Sequence, residues 1–318
     1  MGVQEEINSA TPRHFDWVYW AGELCRAQEV SLPLTTQAFN YGTGVFEGIR
    51  AYKSASGAVG VFRLDDHMQR LQASARLLKM DTLPDHAALV DAVLAVLRQN
   101  ACDDDCYVRP IAFKQALQPG AGFGVSLEGG SDGFSINCLP MPSASQLQAL
   151  RCCVPAWRRV PDYCIPARAK VTGLYANAAL AMQAAHSAGC DDAIMLNQQG
   201  QVAEATTANV FIRRGRRLIT PPESAHILAG ITRDTVLQLC SNDVGMVVEE
   251  RDISLAELYS ADECFLTGTG REIAAVVSID GYTIDQGAPG EITTTLFHRY
   301  QALVRGGVEC YAHWITPV

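Results

Sequence analysis

Of the 25 basic residues in this 318-residue chain only four are lysines: Lys53, Lys79, Lys114 and Lys170. Chemistry that needs a primary amine, as a nucleophile toward a carbonyl or as a group that takes and returns a proton, therefore has four candidates. Lys53 falls in the turn Lys53-Ser-Ala-Ser-Gly57, Lys79 at a helix end before Asp81, and Lys114 beside a loop. Lys170 stands between an extended segment and a helix, where the end of an element presents a side chain to a cleft. Other groups are ambiguous when taken singly. Gly230-Ile231-Thr232, ahead of a helical run, either offers free backbone N–H groups to an anion or is an ordinary helix start with Thr232 as its cap. Glu204, in Val202-Ala-Glu-Ala205, is either a site carboxylate or a solvent-facing strand residue. On spacing alone Gly42-Thr-Gly44 and Gly268-Thr-Gly270 read as tight turns.

Several chemistries are excluded. The seven histidines show no ligand spacing, the 11 cysteines match no zinc pattern, and no metal is expected. No Gly-x-Ser-x-Gly elbow is present. Gly120-Ala-Gly-Phe-Gly124 follows a Gln-Pro turn and opens no helix of a βαβ unit, so it is not a dinucleotide loop. A balance of 25 basic against 34 acidic residues gives a net charge of −9, which speaks against nucleic-acid and anionic-membrane partners. The first residues lack a basic and then apolar leader, and no run approaches the roughly 20 apolar residues that span a bilayer. The expectation is a cytoplasmic protein with reduced thiols.

The elements that must position these groups fall into two units of mixed α+β type. Strands are expected at Trp17–Trp20, Val45–Tyr52 and Val59–Leu64, then a helix from Leu64 in which Met68, Leu71, Ala75 and Leu78 recur at helical spacing. A second helix covers Ala87–Leu97, and strands follow at Cys106–Lys114 and Phe134–Leu139. Pro140-Met-Pro-Ser-Ala-Ser145 lacks periodicity and reads as a linker. The expected division is a small domain over 1–138, a linker over 139–148 and a large domain over 149–318. The large unit carries an Ala-rich helix, Leu174–Ser187, with Leu174, Ala178, Ala181, Ala185 and Ala188 on one face, then short strands, a helix from Ile231 and a last helix over Thr293–Arg305.

Taken in order, several segments resemble the branched-chain-aminotransferase family of class IV pyridoxal-phosphate enzymes. They are Phe39-Asn-Tyr-Gly-Thr-Gly-Val-Phe-Glu-Gly-Ile-Arg-Ala-Tyr52, Phe62-Arg63 with His67-Met-Gln-Arg-Leu71, Tyr107-Val-Arg-Pro110, Lys170-x-x-Gly-x-Tyr175, Glu204 before Asn209-Val-Phe211, Gly230-Ile-Thr-Arg-Asp234, and Thr267-Gly-Thr-Gly270 with Glu272-Ile273. The resemblance spans nearly the whole chain. It implies the fold type IV architecture, a small N-terminal α/β domain and a larger pseudo-barrel C-terminal domain, with pyridoxal 5′-phosphate between them and a homodimeric assembly.

The resemblance also implies roles. Lys170 carries the Schiff base and moves the proton, Glu204 keeps the pyridine nitrogen protonated, and Tyr175 bonds the cofactor's 3′ oxygen. Arg63 and the amides of Ile231 and Thr232 hold the phosphate, with a hydroxyl from Thr269. Tyr107, Arg109 and Gly270 take the substrate α-carboxylate, and Tyr41 and Phe46 line the side-chain pocket; Arg109 is alternatively a residue that orients Tyr107. The implied reaction is transamination between an L-amino acid with a branched or other apolar side chain and 2-oxoglutarate. D-amino-acid and (R)-amine aminotransferases and aminodeoxychorismate lyases share the lysine, glutamate and arginine, but Tyr107-Val-Arg-Pro110 favours the branched-chain type. Retention of all three groups argues against a noncatalytic binding protein.

Four segments depart from the family pattern, one of them Gly173-Leu174, which stands where Gly-Asn is more usual before the tyrosine. Glu204-Ala-Thr-Thr-Ala-Asn209 lacks two glycines and a second carboxylate, the stretch Leu139–Gln146 lacks aromatics, and Arg271 replaces a small residue. Arg271 either points inward to pair a second carboxylate or lies outward in solvent.

Overall fold

The computed structural model describes residues 14–116, 124–128 and 130–318. The chain's first residues and all of Gly120–Gly124 except Gly124 lie outside them. Strands β1 (Trp17–Trp20), β2 (Glu23–Arg26), β3 (Gly44–Phe46), β4 (Ile49–Lys53), β5 (Val59–Phe62), β6 (Cys106–Ala116) and β7 (Ser131–Pro140) form one antiparallel sheet, joined at its edge by the C-terminal strand Ile315–Pro317. Between them lie α1 (Gln37–Tyr41), α2 (Leu64–Leu77) and α3 (His86–Gln99). Along β6, side chains alternate between faces: Cys106, Val108 and Ala112 enter the core with Met68, Leu71, Leu89 and Val93, whereas Tyr107 and Arg109 share the opposite face. Asp85 caps α3 by accepting from the N–H of Ala88 at 2.9 Å.

The expected single strand Val45–Tyr52 is broken at Glu47-Gly48. Glu47 turns its carboxylate inward to His67 and Arg70. At Gly48 a Cβ would meet the Tyr107 hydroxyl at 2.1 Å, so only glycine admits that ring.

The second sheet contains β8 (Ala149–Cys153), β9 (Asp192–Leu196), β10 (Val202–Ala205), β11 (Asn209–Arg214), β12 (Arg217–Thr220), β13 (Val247–Glu250), β14 (Glu263–Gly268), β15 (Glu272–Ile279) and β16 (Tyr282–Thr283). Strands β8, β9, β10, β11, β14 and β15 close into a six-stranded barrel through the pairing of Glu204 with Asn209. Its interior is apolar, with Ile194, Val202, Val210 and Leu266. Helix α4 (Tyr175–Ser187) lays Ala181 and Ala185 on Ala193 and Met195, small residues permitting close approach. Ala188 lies past the helix end and is exposed. Helices α5 (Ile231–Leu239), α6 (Leu255–Tyr259) and α7 (Glu291–Val304) complete the lobe. An aromatic cluster of Tyr52, Phe62, Phe211, Phe265, Tyr300 and Trp314 joins the two sheets. Among the described residues no helix is long and apolar enough to cross a membrane.

Candidate active site

Lys170 lies where the two lobes meet, its carbonyl accepting from the N–H of Phe46 at 3.1 Å and its own N–H donating to Ser74 Oγ at 3.2 Å. Its Nζ lies 2.7 Å from the Tyr175 hydroxyl and 4.9 Å from the ring centre of Phe46. Five residues separate the partners because a short 3₁₀ turn, Thr172–Leu174, leads directly into α4, whose first residue is Tyr175. Burial brings the Lys170 amine down to about 8, and the nearby charge of Arg70 adds to the effect. Burial likewise pushes the Tyr175 phenol up to about 12, with Glu204 contributing.

Glu204 is buried at the closure of the barrel. Its Oε1 meets Arg159 Nη2 at 2.7 Å, and its Oε2 accepts from the Leu228 N–H at 3.1 Å and from Asn209 Nδ2 at 3.2 Å. Burial raises its carboxyl above the ordinary range against the pull of Arg159. It is therefore a basic, rigidly held carboxylate rather than a solvent-facing strand residue.

The first turn of α5 lines the same cavity. Gly230 is its N-cap, no side chain caps the turn, and Ile231 and Thr232 are buried there. A Cβ on Gly230 would approach Asn209 Oδ1 to 2.0 Å, so the glycine is required. Arg70 lines this cavity with Lys170, Glu204, Ile231, Thr232 and Thr269. Arg70 is held by Glu47 and donates to the carbonyl of Ala229 at 2.8 Å. Cation and helix end face one cavity, an arrangement whose electrostatics favour an anion.

Arg63 does not line the cavity that contains Lys170. It contacts Asp234, donates from Nε to Asp66 at 2.7 Å, and stacks on Trp314 at 4.7 Å. Its fork is spent on two carboxylates, which staple the start of α2 to α5. The structure thus places Arg70, and not the expected Arg63, on the wall of the cavity that contains Lys170.

A second cavity, of about 500 Å³, adjoins Lys170. Phe46, Gly48, Tyr107, Arg109, Thr269 and Gly270 line it, and Leu139 and Met141 supply the aliphatic wall that the aromatic-poor linker left open. Arg109 donates to the Tyr107 hydroxyl at 2.6 Å and lies 4.3 Å over Phe46. Its buried Nε has no partner, so it both orients Tyr107 and faces the cavity. Arg271 lines the cavity as well and is paired with Asp192. Tyr41, 42% exposed on α1, borders neither cavity and is not brought to the site by its own chain.

Sequence reasoning missed Arg70, Glu47 and Arg159. The first two stand inside quoted motifs, and nothing in the local pattern around Arg159 distinguishes it from Arg158.

The family model for class IV amino-transferases matches residues 44–279. A probable branched-chain-amino-acid aminotransferase of Aquifex aeolicus is 38% identical over 305 residues, covering 95% of this chain and 97% of that one. The branched-chain aminotransferase of Thermobaculum terrenum, solved in its pyridoxal-phosphate form, superimposes with a TM-score of 0.90 at 35% identity, covering 96% of this chain and 98% of the other. The T.th. branched-chain aminotransferase complexed with N-(5′-phosphopyridoxyl)-L-glutamate gives a TM-score of 0.88 at 32% identity, covering 95% and 98%.

Proposed function

The chain belongs to the class IV aminotransferases of the branched-chain-amino-acid type, and from that membership we propose that it exchanges an amino group between an L-amino acid with a branched or other apolar side chain and 2-oxoglutarate. The observation that carries this reading is the placement of Lys170 Nζ, 2.7 Å from Tyr175, in a cavity lined by Glu204, Arg70 and the first turn of α5.

These residues fit pyridoxal phosphate. Thr267 Oγ1, buried in the cavity wall, has no hydrogen-bond partner, and the first turn of α5 on the same wall has no side-chain cap, so both leave donors for a ligand. When bound, pyridoxal phosphate supplies an aldehyde for the lysine amine and a protonated ring that draws electrons from the substrate Cα. Arg70 and the amides of Ile231 and Thr232 hold the phosphate, with Thr269 beside them. Glu204, fixed by Arg159, Asn209 and the Leu228 N–H, would face the ring nitrogen and favour its protonated form. Tyr175 bonds the 3′ oxygen. Lys170 would be the covalent anchor and the group that takes and returns the substrate proton; with its amine lowered to about 8, roughly a tenth of it is neutral at pH 7, far more than for an ordinary lysine. Tyr107, Arg109 and Gly270 orient the substrate carboxylate, and Phe46, Leu139 and Met141 exclude water from an apolar side chain.

The glutamate adduct bound by the T.th. enzyme supports 2-oxoglutarate as the acceptor. The reading includes a small domain over 1–138, a linker over 139–148, a large domain over 149–318 and a cytoplasmic homodimer. The exposed apolar side chains Leu34, Phe39 and Tyr41, close together on one segment, support a second copy covering that face.

The test is an absorption spectrum of the holoenzyme with separate additions of L-leucine, L-glutamate, D-alanine and an (R)-amine. Loss of the visible band with L-leucine and L-glutamate is expected. Response to D-alanine or the (R)-amine alone would overturn the L-specific reading, and a protein that cannot be loaded with pyridoxal phosphate would overturn the enzyme assignment.

A further inference from the structure

A transaminase that couples an apolar amino acid to a dicarboxylic oxo acid must admit both side chains to one pocket. The pocket beside Lys170 contains three basic residues, Arg109, Lys170 and Arg271, and no carboxylate among its lining residues. Arg271 is the unusual member. It projects from the turn after Gly270, and Glu272 behind it adopts the left-handed conformation, φ 55°. The Glu272 carboxylate is locked by Ser143 Oγ at 2.8 Å and Gln301 Nε2 at 2.6 Å. That lock turns Glu272 into the junction between the lobes and leaves Arg271 on the cavity side.

Arg271 also has its own counterion. Its Nη2 lies 3.1 Å from Asp192 Oδ2, and Asp192 is completely buried. The other oxygen of Asp192 accepts from Thr206 Oγ1 at 2.7 Å and from the Ala193 N–H at 2.8 Å, so the carboxylate cannot turn away. Arg271 uses one terminal nitrogen for this contact and makes no other hydrogen bond among the described residues; 29% of its side chain remains exposed. A fork held at one corner keeps donors for a ligand. The buried aspartate also cancels the charge when no ligand carboxylate is present, and an uncompensated cation beside an alkyl chain is thereby avoided. Thr206 belongs to the Ala-Thr-Thr-Ala segment, so two of the departures from the family pattern, that loop and Arg271, meet at Asp192.

Resting on the function proposed above, we propose that Arg271 is a specificity-determining residue: its guanidinium takes the second carboxylate of a dicarboxylic partner, while its pairing with Asp192 compensates its own charge when the partner is apolar.

The experiment is calorimetric titration of the pyridoxal-phosphate holoenzyme with glutarate and with 4-methylpentanoate, two nonreactive acids that differ in the second carboxylate. Arg271→Ala is expected to weaken glutarate by about tenfold or more, the value of one charge-assisted contact, and to leave 4-methylpentanoate within about twofold. Asp192→Asn is expected to do the reverse, weakening 4-methylpentanoate more than glutarate; should it fail to fold, Arg271→Ala decides alone. Equal loss of both acids in Arg271→Ala would make the residue a strut for the turn, and no loss would place it outside the binding site; either overturns the proposal. The spectral response of the wild-type holoenzyme to L-leucine separates the two levels. If the wild type responds and Arg271→Ala leaves glutarate unchanged, only this inference falls, whereas a wild type silent to every L-amino acid removes the functional reading and this inference with it.

Discussion

Arg70 meets Glu47 in a two-point contact, Nε to Oε1 at 2.7 Å and Nη2 to Oε2 at 2.8 Å, and the carboxylate is fully buried with His67 Nδ1 also 2.7 Å away. This contact fixes the direction in which Arg70 faces the first turn of α5. Replacing Glu47 by Gln removes the charge that orients the guanidinium and leaves a buried cation unpaired. Glu47→Gln is expected to weaken pyridoxal-phosphate affinity by about tenfold, measured by fluorescence titration of the apoenzyme.

The same cluster predicts an acid-sensitive fold. Burial by itself would raise the Glu47 carboxyl, but the charge and hydrogen bonds of Arg70 and His67 hold it well below the carboxylate range. Burial also lowers His67. Both groups have folded values below their unfolded ones, so both contribute stability that is present at higher pH and lost as pH falls. The loss begins near the unfolded histidine value of about 6.5 and steepens below about 4.3, where an unfolded glutamate takes up its proton. Thermal unfolding followed from pH 7.5 to 4 is expected to show a falling Tm, with a shallower fall in Glu47→Gln below pH 5.

Arg63 and Arg70 separate structure from binding. Arg70→Ala is expected to lower cofactor affinity by about a hundredfold, the loss of charge-assisted contacts to a phosphate. Arg63→Ala is expected to leave affinity within about threefold and instead to lower Tm by a few degrees, at about 2–4 °C for each kcal/mol. Asp66 and Asp234, its partners, are partly exposed, which limits the loss. Equal effects of the two variants on affinity would contradict the assignment of the phosphate to Arg70.

The difficulty of that assignment from sequence is instructive. Arg63 and Arg70 are seven residues apart, the first just ahead of α2 and the second within it, and the helical pattern does not say which of them reaches the cavity. The choice depends on where α5 crosses α2, a relationship set by residues more than 150 positions away. The pairing of Glu204 with Asn209 and the Arg159 contact to Glu204 are likewise products of barrel closure. By contrast, the helices, the alternation along β6 and the lysine at the mouth of α4 follow from local pattern and from having so few amines to choose among. Tyr41 shows the opposite limit: its motif is legible, but its own chain leaves it on the surface.

Tyr175→Phe is expected to keep the fold and the bound cofactor and to lower kcat by about tenfold to a hundredfold, the range for removing one hydrogen bond to a charged group in a buried site. Because the 2.7 Å contact to Lys170 disappears in this variant, the pH dependence of cofactor capture by the apoenzyme is also expected to shift from the inflection near 8 expected of the wild type. Stopped-flow absorbance across pH 6.5–9.5 measures both.

The most direct test of the central claim is peptide mapping by mass spectrometry after borohydride reduction of the pyridoxal-phosphate holoenzyme. The pyridoxyl label is expected on Lys170 alone, absent after Lys170→Ala and absent from wild type converted beforehand with L-leucine. A label on Lys53, Lys79 or Lys114, or one that survives Lys170→Ala, would contradict the assignment of Lys170 as the anchoring amine.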